Sequence, residues 1–396
     1  MNSEAVGSIR GIVLAGAAPW DDTALDASLP RTLLPVAHAP LIGYVLQWLR
    51  AAGVDHVTVC ANSASCLVRQ CLGTGRHMGL ELDYYEDWTP RGPAGCVRDA
   101  GLADPADVYV VADGTIVPRI DLGALLAAHR AAGAWVTVAV NGAASDGSAC
   151  GPLQPVGIYV FQREALACIP ATGYQDIKEI LIPRLRQSGG RVVAELVDGC
   201  CPRVTGFESY LAVCEWTLEQ LVSRTAPPPG FRRLGEALIH RRARVSGSAV
   251  LMGPVLLGPW AHVSDGATIV GPATLGARCN IWTGAVVCRS VLWDRAEIGP
   301  ESVVDQCVIS HDARVPTGAA LHGRYLPAPH DWDKALRLDP HGELQLGRGA
   351  VVRASGGSAR AEPGARVGGL RAGRAVATDA VACDVEGYQT VVGRRA

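Results

Sequence analysis

Lysine is almost missing from this sequence. Only Lys178 and Lys334 occur, so nearly all of the positive charge is arginine. A phosphate site must then use the planar guanidinium fork in place of a compact ammonium. No charge of one sign prevails: 36 basic against 38 acidic residues leave a net of -2, which announces no broad attraction to nucleic acid or to an anionic membrane. No apolar run approaches the roughly 18 residues that a membrane helix needs, and the basic-then-apolar order of a secretory signal is missing. The 13 cysteines are odd in number and include no C-x-x-C pair. Reduced thiols in a cytoplasmic protein are expected, with the adjacent Cys200 and Cys201 read as buried neighbours and not as a redox pair.

What is present is apolar. Hydrophobic residues make up 48% and charged ones only 19% of 396 residues, a length beyond what one core usually supports, so at least two domains are expected. In the first 140 residues short apolar runs alternate with helical patterns, as in a mostly parallel α/β sheet. Gly11 to Gly16 reads as a buried strand entering a turn, Pro40 to Ala52 as a helix, Val57 to Cys60 as a second strand, and Val108 to Asp113 as a third that ends on a carboxylate. Ligands of open α/β sheets lie at the carboxyl ends of the strands, so the Gly16 turn and Asp113 should face one crevice.

The run Ala226-Pro-Pro-Pro-Gly230 breaks this pattern, and beyond it the period becomes six. Ile239, Val245, Leu251, Leu257, Val263, Ile269, Leu275, Ile281 and Val287 follow at that spacing; after a shift the register resumes at Val303, Ile309, Val315 and Leu321. Neither a helix nor an amphipathic strand has this period. It predicts a β-helix of hexapeptide repeats, each aliphatic residue pointing into a triangular prism that only stacked coils can bury. The expected division is an α/β domain over 8–226, a left-handed parallel β-helix over 236–322, and a Gly/Ala/Arg-rich tail over 323–396 with short strands or partial disorder.

Ile12-Val13-Leu14-Ala15-Gly16 followed by Leu29-Pro30-Arg31-Thr32-Leu33-Leu34-Pro35-Val36 resembles the opening signature of the sugar-1-phosphate nucleotidyltransferases, the NDP-sugar pyrophosphorylases. Thr89 to Gly95 resembles that family's Gly-Thr-Ala-Gly segment, Asp113 its Gly-Asp metal ligand, Pro155 to Phe161 its Asn-Ala-Gly-Ile-Tyr strand, and Arg203 to Leu211 its Glu-x-Tyr-Leu stretch. The resemblance spans roughly residues 8 to 322 and implies a Rossmann-like nucleotidyltransferase domain, followed in several members by such a β-helix. It assigns Arg31 and Asp113 to catalysis, Asp113 to Mg2+, Leu14, Ala15, Gly16, Gly92, Ala94 and Gly95 to the nucleotide, and Gly157 to the sugar. The chemistry implied is attack of a sugar-1-phosphate on the α-phosphorus of a nucleoside triphosphate, with Mg2+ and cations neutralising the developing charge.

Yet the motifs are degraded. The expected Gly-Gly-x-Gly-x-Arg reads Gly16-Ala17-Ala18-Pro19-Trp20-Asp21, where a proline removes an N–H donor and an aspartate replaces an arginine. Arg31 stands for the catalytic lysine, no lysine lies between Val140 and Pro155 to anchor a sugar phosphate, and Arg203 takes the place of the second metal aspartate. The reading favoured is a non-catalytic subunit that binds a nucleotide or nucleotide sugar and acts in regulation or scaffolding, as a homo-oligomer or with an active paralogue, with no nucleic acid or membrane partner. Mg2+ is expected only if activity survives. An active nucleotidyltransferase and a hexapeptide acyltransferase using His311 stay open as alternatives. Structural roles stand beside the functional ones: Asp113 as a turn or cap residue, the glycines as turn formers, and Trp88, Trp260, Trp282 and Trp293 as packing residues.

Overall fold

Seven strands carry the N-terminal half, and their order follows from where the apolar runs fall. The computed structural model describes residues 8–16, 25, 29–61, 65–86, 91–142, 153–328, 336–338, 344–346 and 353–354. The strands are β1 (Ile9–Leu14), β2 (His56–Ala61), β3 (Glu81–Glu86), β4 (Val108–Asp113), β5 (Val136–Gly142), β6 (Leu153–Gln162) and β7 (Val192–Leu196). They lie side by side as β3-β2-β1-β4-β6-β5-β7. All neighbours run parallel except β6, which is antiparallel to both β4 and β5. The unbroken apolar run Val108 to Ala112 is buried on both faces, as a central strand covered from two sides requires.

Helix α1 (Leu41–Ala51) supplies one cover. Its Ile42, Val45, Leu46 and Leu49 recur at helical spacing and join the core that includes Val13, Val57 and Val110. Helix α2 (Gly92–Ala103) covers the opposite face with Ala94, Val97 and Ala100 against Ile12, Tyr109 and Val111. Helix α3 (Leu122–Ala132) starts on Asp121, whose carboxylate accepts the Ala124 N–H, and stops at Gly133 with φ 55°.

Beyond Gly230 the chain forms three sheets and visits them in turn. One opens with the antiparallel pair Phe231–Leu234 and Ala237–His240, the next with Arg244–Val245, the third with Val250–Met252, and from there the coil strands pair in parallel with the third strand on. These parallel sheets are consistent with a β-helix. Ile239, Leu257, Val263, Ile269, Leu275, Ile281 and Val287 point inward and are at most 1% exposed, forming one core. One expectation is corrected: Val304, not Val303, lies in that core, with Val303 37% exposed against 0% for its neighbour. The step along the second sheet is 18 residues from Val245 to Val263 to Ile281 but 17 from Ile281 to Ile298 to Val315. One residue is dropped per coil, so the inward position advances as Leu292, Ile298, Val304, Ile309, Val315 and Leu321.

Helix α4 (Phe207–Val222) joins the two halves. Its buried Tyr210 donates to the Pro35 carbonyl at 2.5 Å and accepts the indole N–H of Trp293 at 2.9 Å. Leu34, Val36, Val213, Trp293 and Val308 pack around them. Trp293 is thus a packing residue as expected, whereas Trp260 and Trp282 are not: they stand 48% and 43% exposed. Trp88 lies outside the described residues, as does nearly all of 323–396 beyond Ala328; there, Leu336–Leu338 pairs antiparallel with Leu344–Leu346. No helix among the described residues is long and apolar enough to cross a membrane.

Candidate functional site

Strands β1 and β4 end side by side, with Leu14 opposite Asp113. The turn after β1 spends its backbone on the sheet: the N–H groups of Ala15 and Gly16 both reach the Cys60 carbonyl, at 2.7 and 3.2 Å, and the Leu14 carbonyl accepts from Gly114 at 2.9 Å. Ala17 to Asp21, where the phosphate loop was expected, lies outside the described residues. The short helix Arg31–Leu33 is drawn to the same sheet end, since a Cβ on Gly114 would meet Thr32 Cγ2 at 2.9 Å. Arg31 is half-buried there.

Asp113 is fully engaged. Its Oδ1 accepts the N–H of Thr115 at 2.9 Å and the Thr115 hydroxyl at 2.7 Å, while Oδ2 accepts Arg203 Nη1 at 2.5 Å. Arg203 is delivered by the segment 200–204, which runs antiparallel to 115–119: Val117 N–H bonds the Pro202 carbonyl, and Val204 N–H bonds that of Thr115. Gly157 makes room for it. With φ +87°, a Cβ there would stand 2.0 Å from Arg203 Nη2 and 3.3 Å from Asp113 Cβ, so this position admits only glycine while the guanidinium occupies the space. Tyr159, on the same strand, is pushed up to about 12, chiefly by burial.

Gly92, Ala94 and Gly95 open helix α2, where Ala94 packs against Ile12 and Cys60. Gly92 has φ +73° and its missing Cβ would fall 2.6 Å from the Gln175 carbonyl, which accepts the Ala94 N–H at 3.0 Å. Gly95 clears the Arg91 side chain, whose Nη2 donates to the Pro170 carbonyl at 2.8 Å. This segment therefore docks on residues 170–175. Thr89 and Pro90 of the same motif lie outside the described residues. Cys200 and Cys201 are free and only half-buried, not buried as expected, and burial still raises both thiols, Cys201 to about 11. His311 packs at a tilt against Trp293 with ring centroids 5.1 Å apart, in the cleft of about 610 Å³ that Leu33, Pro35 and Leu256 also line.

The donor set does not fit a divalent cation at Asp113. Each carboxylate oxygen already accepts from a neutral or cationic donor, and a guanidinium stands within hydrogen-bonding distance where a second anionic ligand would be needed. Among the described residues no group of three His, Cys, Asp or Glu side chains converges as a ligand set. Two partners of Asp113 were thus missed in the sequence. The sequence marks Arg203 only as standing in place of the second metal aspartate, and Thr115, two residues on, carries the ordinary signature of an Asx turn.

Residues 12–148 match the family model described as nucleotidyl transferase. Among curated proteins, the chain is 26% identical over 275 residues to the mannose-1-phosphate guanylyltransferase of Mycobacterium tuberculosis, covering 63% of this chain and 75% of the relative. It is 25% identical to the glucose-1-phosphate thymidylyltransferase of Streptomyces antibioticus, over 63% of this chain and 78% of that one. The UTP--glucose-1-phosphate uridylyltransferase of Synechocystis sp. matches at 22% identity over 79% of this chain and 90% of its own length. The chain carries a nucleotidyl transferase domain and is a homologue of the sugar-1-phosphate nucleotidyltransferases.

Proposed function

We propose that this protein is a non-catalytic relative of these enzymes that holds a nucleotide sugar in the crevice at the ends of β1 and β4. It serves as a regulatory or scaffolding subunit in the cytoplasm, as a homo-oligomer or beside an active paralogue. The same reading divides the chain into the α/β domain 8–226, a left-handed β-helix of hexapeptide repeats over 236–322 and the tail 323–396. One observation carries it: the Arg203–Asp113 ion pair at 2.5 Å takes the carboxylate on which metal-assisted phosphoryl transfer would depend. In the nucleotide-binding role, Leu14, Ala15, Gly16, Gly92, Ala94 and Gly95 contact the nucleotide and Gly157 the sugar, with Arg31 and Arg203 as the cations that face a diphosphate.

The nucleobase and sugar are left open, because the three relatives are named for guanylyl, thymidylyl and uridylyl transfer. The active-enzyme reading draws on Arg31 and Asp113 being brought to one sheet end, and the test separates the two. Purified protein is titrated calorimetrically with GDP-, UDP- and dTDP-sugars in EDTA, and assayed for pyrophosphate release from each triphosphate with Mg2+ and a sugar-1-phosphate. Binding of one nucleotide sugar in EDTA without pyrophosphate release is the expected result. Mg2+-dependent release would establish the enzyme instead.

A further inference from the structure

The outer edge of the C-terminal coils carries a second concentration of positive charge, far in sequence from the Asp113 crevice. Corner residues of successive coils stack there: Trp260 follows Arg242 and precedes Arg278, and the Arg278 N–H bonds the Pro259 carbonyl one coil back. The guanidinium carbons of Arg242 and Arg278 lie 4.8 and 5.4 Å from the Trp260 ring centroid, so the indole holds one cation from the coil before and one from the coil after. Arg244 and His262 project from adjacent strands of the same sheet, where they are paired residue to residue. Arg241, Arg242, Arg244, Trp260 and His262 line a concavity of about 650 Å³, and Arg278 lies against the same indole.

No carboxylate lines that concavity. Two acids on later coils are already paired: Glu297 with Arg314 at 3.3 Å and Asp312 with Arg295 at 2.6 Å. Among the described residues none of Arg241, Arg242, Arg244 and Arg278 forms an ion pair. Four guanidiniums on two of three successive coils repel one another, and the chain as a whole is slightly acidic at -2, so this charge is local and not a property of the surface at large. The size of the concavity is that of a small-molecule site, and guanidinium forks pinned on an aromatic face are the donor set that grips phosphate oxygens bidentately.

We propose that this corner is a binding site for an anion with two or more linked phosphates, either a free polyphosphate or the phosphate chain of a nucleotide, separate from the crevice at Asp113. Arg242 and Arg278 grip the phosphates, Trp260 fixes their spacing, and Arg241 and Arg244 add charge at the rim. Calorimetric titration of the full-length protein in EDTA, first with sodium tripolyphosphate and then with ATP, tests it, with sulfate at equal ionic strength as the control. Saturable binding is expected for tripolyphosphate, weakening roughly tenfold or more in Arg242→Ala/Arg278→Ala and in Arg244→Glu, and falling as salt is raised. Tighter binding of ATP than of tripolyphosphate would identify a nucleotide as the ligand, and equal binding a free polyphosphate. Binding that persists in both variants would place the anion elsewhere and overturn the proposal. So would an absence of saturable binding, the outcome expected if the patch instead docks the acidic surface of another protein.

Discussion

At Gly157 one hydrogen atom decides whether Arg203 can reach Asp113. A Cβ on this residue would sit 2.0 Å from Arg203 Nη2 in a backbone conformation with φ +87°, so Gly157→Ala combines left-handed strain with a steric clash. Thermal unfolding should report a loss of about 1–3 kcal/mol, and an unchanged melting temperature would mean that the guanidinium moves aside freely. Arg203→Ala acts in the opposite sense on the site. The pair is only about two-thirds buried, so its removal should cost no more than about 1 kcal/mol, while the released Asp113 carboxylate gains affinity for Mg2+ measurable by calorimetry. If the variant binds Mg2+ no better than the parent, Arg203 is not what keeps the cation out. His129 gives a pH signature. It is fully buried, its Nδ1 lies 2.8 Å from Thr137 Oγ1, and burial pushes it down to about 4 from 6.5. Between those two values the unfolded chain binds a proton that the folded chain refuses. Stability is therefore complete above about pH 6.5 and falls as pH drops toward 4, by up to about 1.4 kcal/mol per pH unit. Denaturant midpoints across that window check the sign, and replacing His129 with Leu should flatten the slope.

Among the elements, those defined by local pattern were readable and those defined by distant pairing were not. The apolar run Val108 to Ala112 and the helical face of Leu41 to Leu49 announce themselves because each is buried by its own periodicity. The six-residue spacing did the same for the C-terminal sheets as far as Val287. It then misplaced Val303, because dropping one residue per coil changes the inward position without changing the composition at either site. In the candidate site Asp113 and Gly157 were legible as motif positions, but the partner that joins them comes from residue 203, 90 positions away from Asp113. Local sequence carries no signal for such a contact. Gln175, whose carbonyl accepts the Ala94 N–H, was equally invisible, since any residue offers that group.

On the scale of the whole molecule, the α/β sheet and the C-terminal coils share a core. Leu34, Val36, Tyr210, Val213, Trp293 and Val308 belong to one buried cluster, and Ala37, Leu218, Phe231, Leu238 and Leu256 to another. Units that bury this much apolar surface against each other should unfold together. A single calorimetric transition is expected, and two resolved transitions would refute it. Trp293→Ala removes the ring that Tyr210 holds and should destabilise the protein by about 3–5 kcal/mol, lowering that one transition as a whole.

Only three residues of chain, Val204, Thr205 and Gly206, lie between Arg203 and Phe207, where α4 begins. Arg203 is anchored at one end of this tether by Asp113, and Tyr210 at the other by Pro35 and Trp293. An anion that drew the guanidinium off Asp113 would therefore pull on the root of the helix packed against the coils. On the proposed reading the ion pair would act as a latch and the helix as its lever, passing occupancy of the crevice to the coils through one turn of chain.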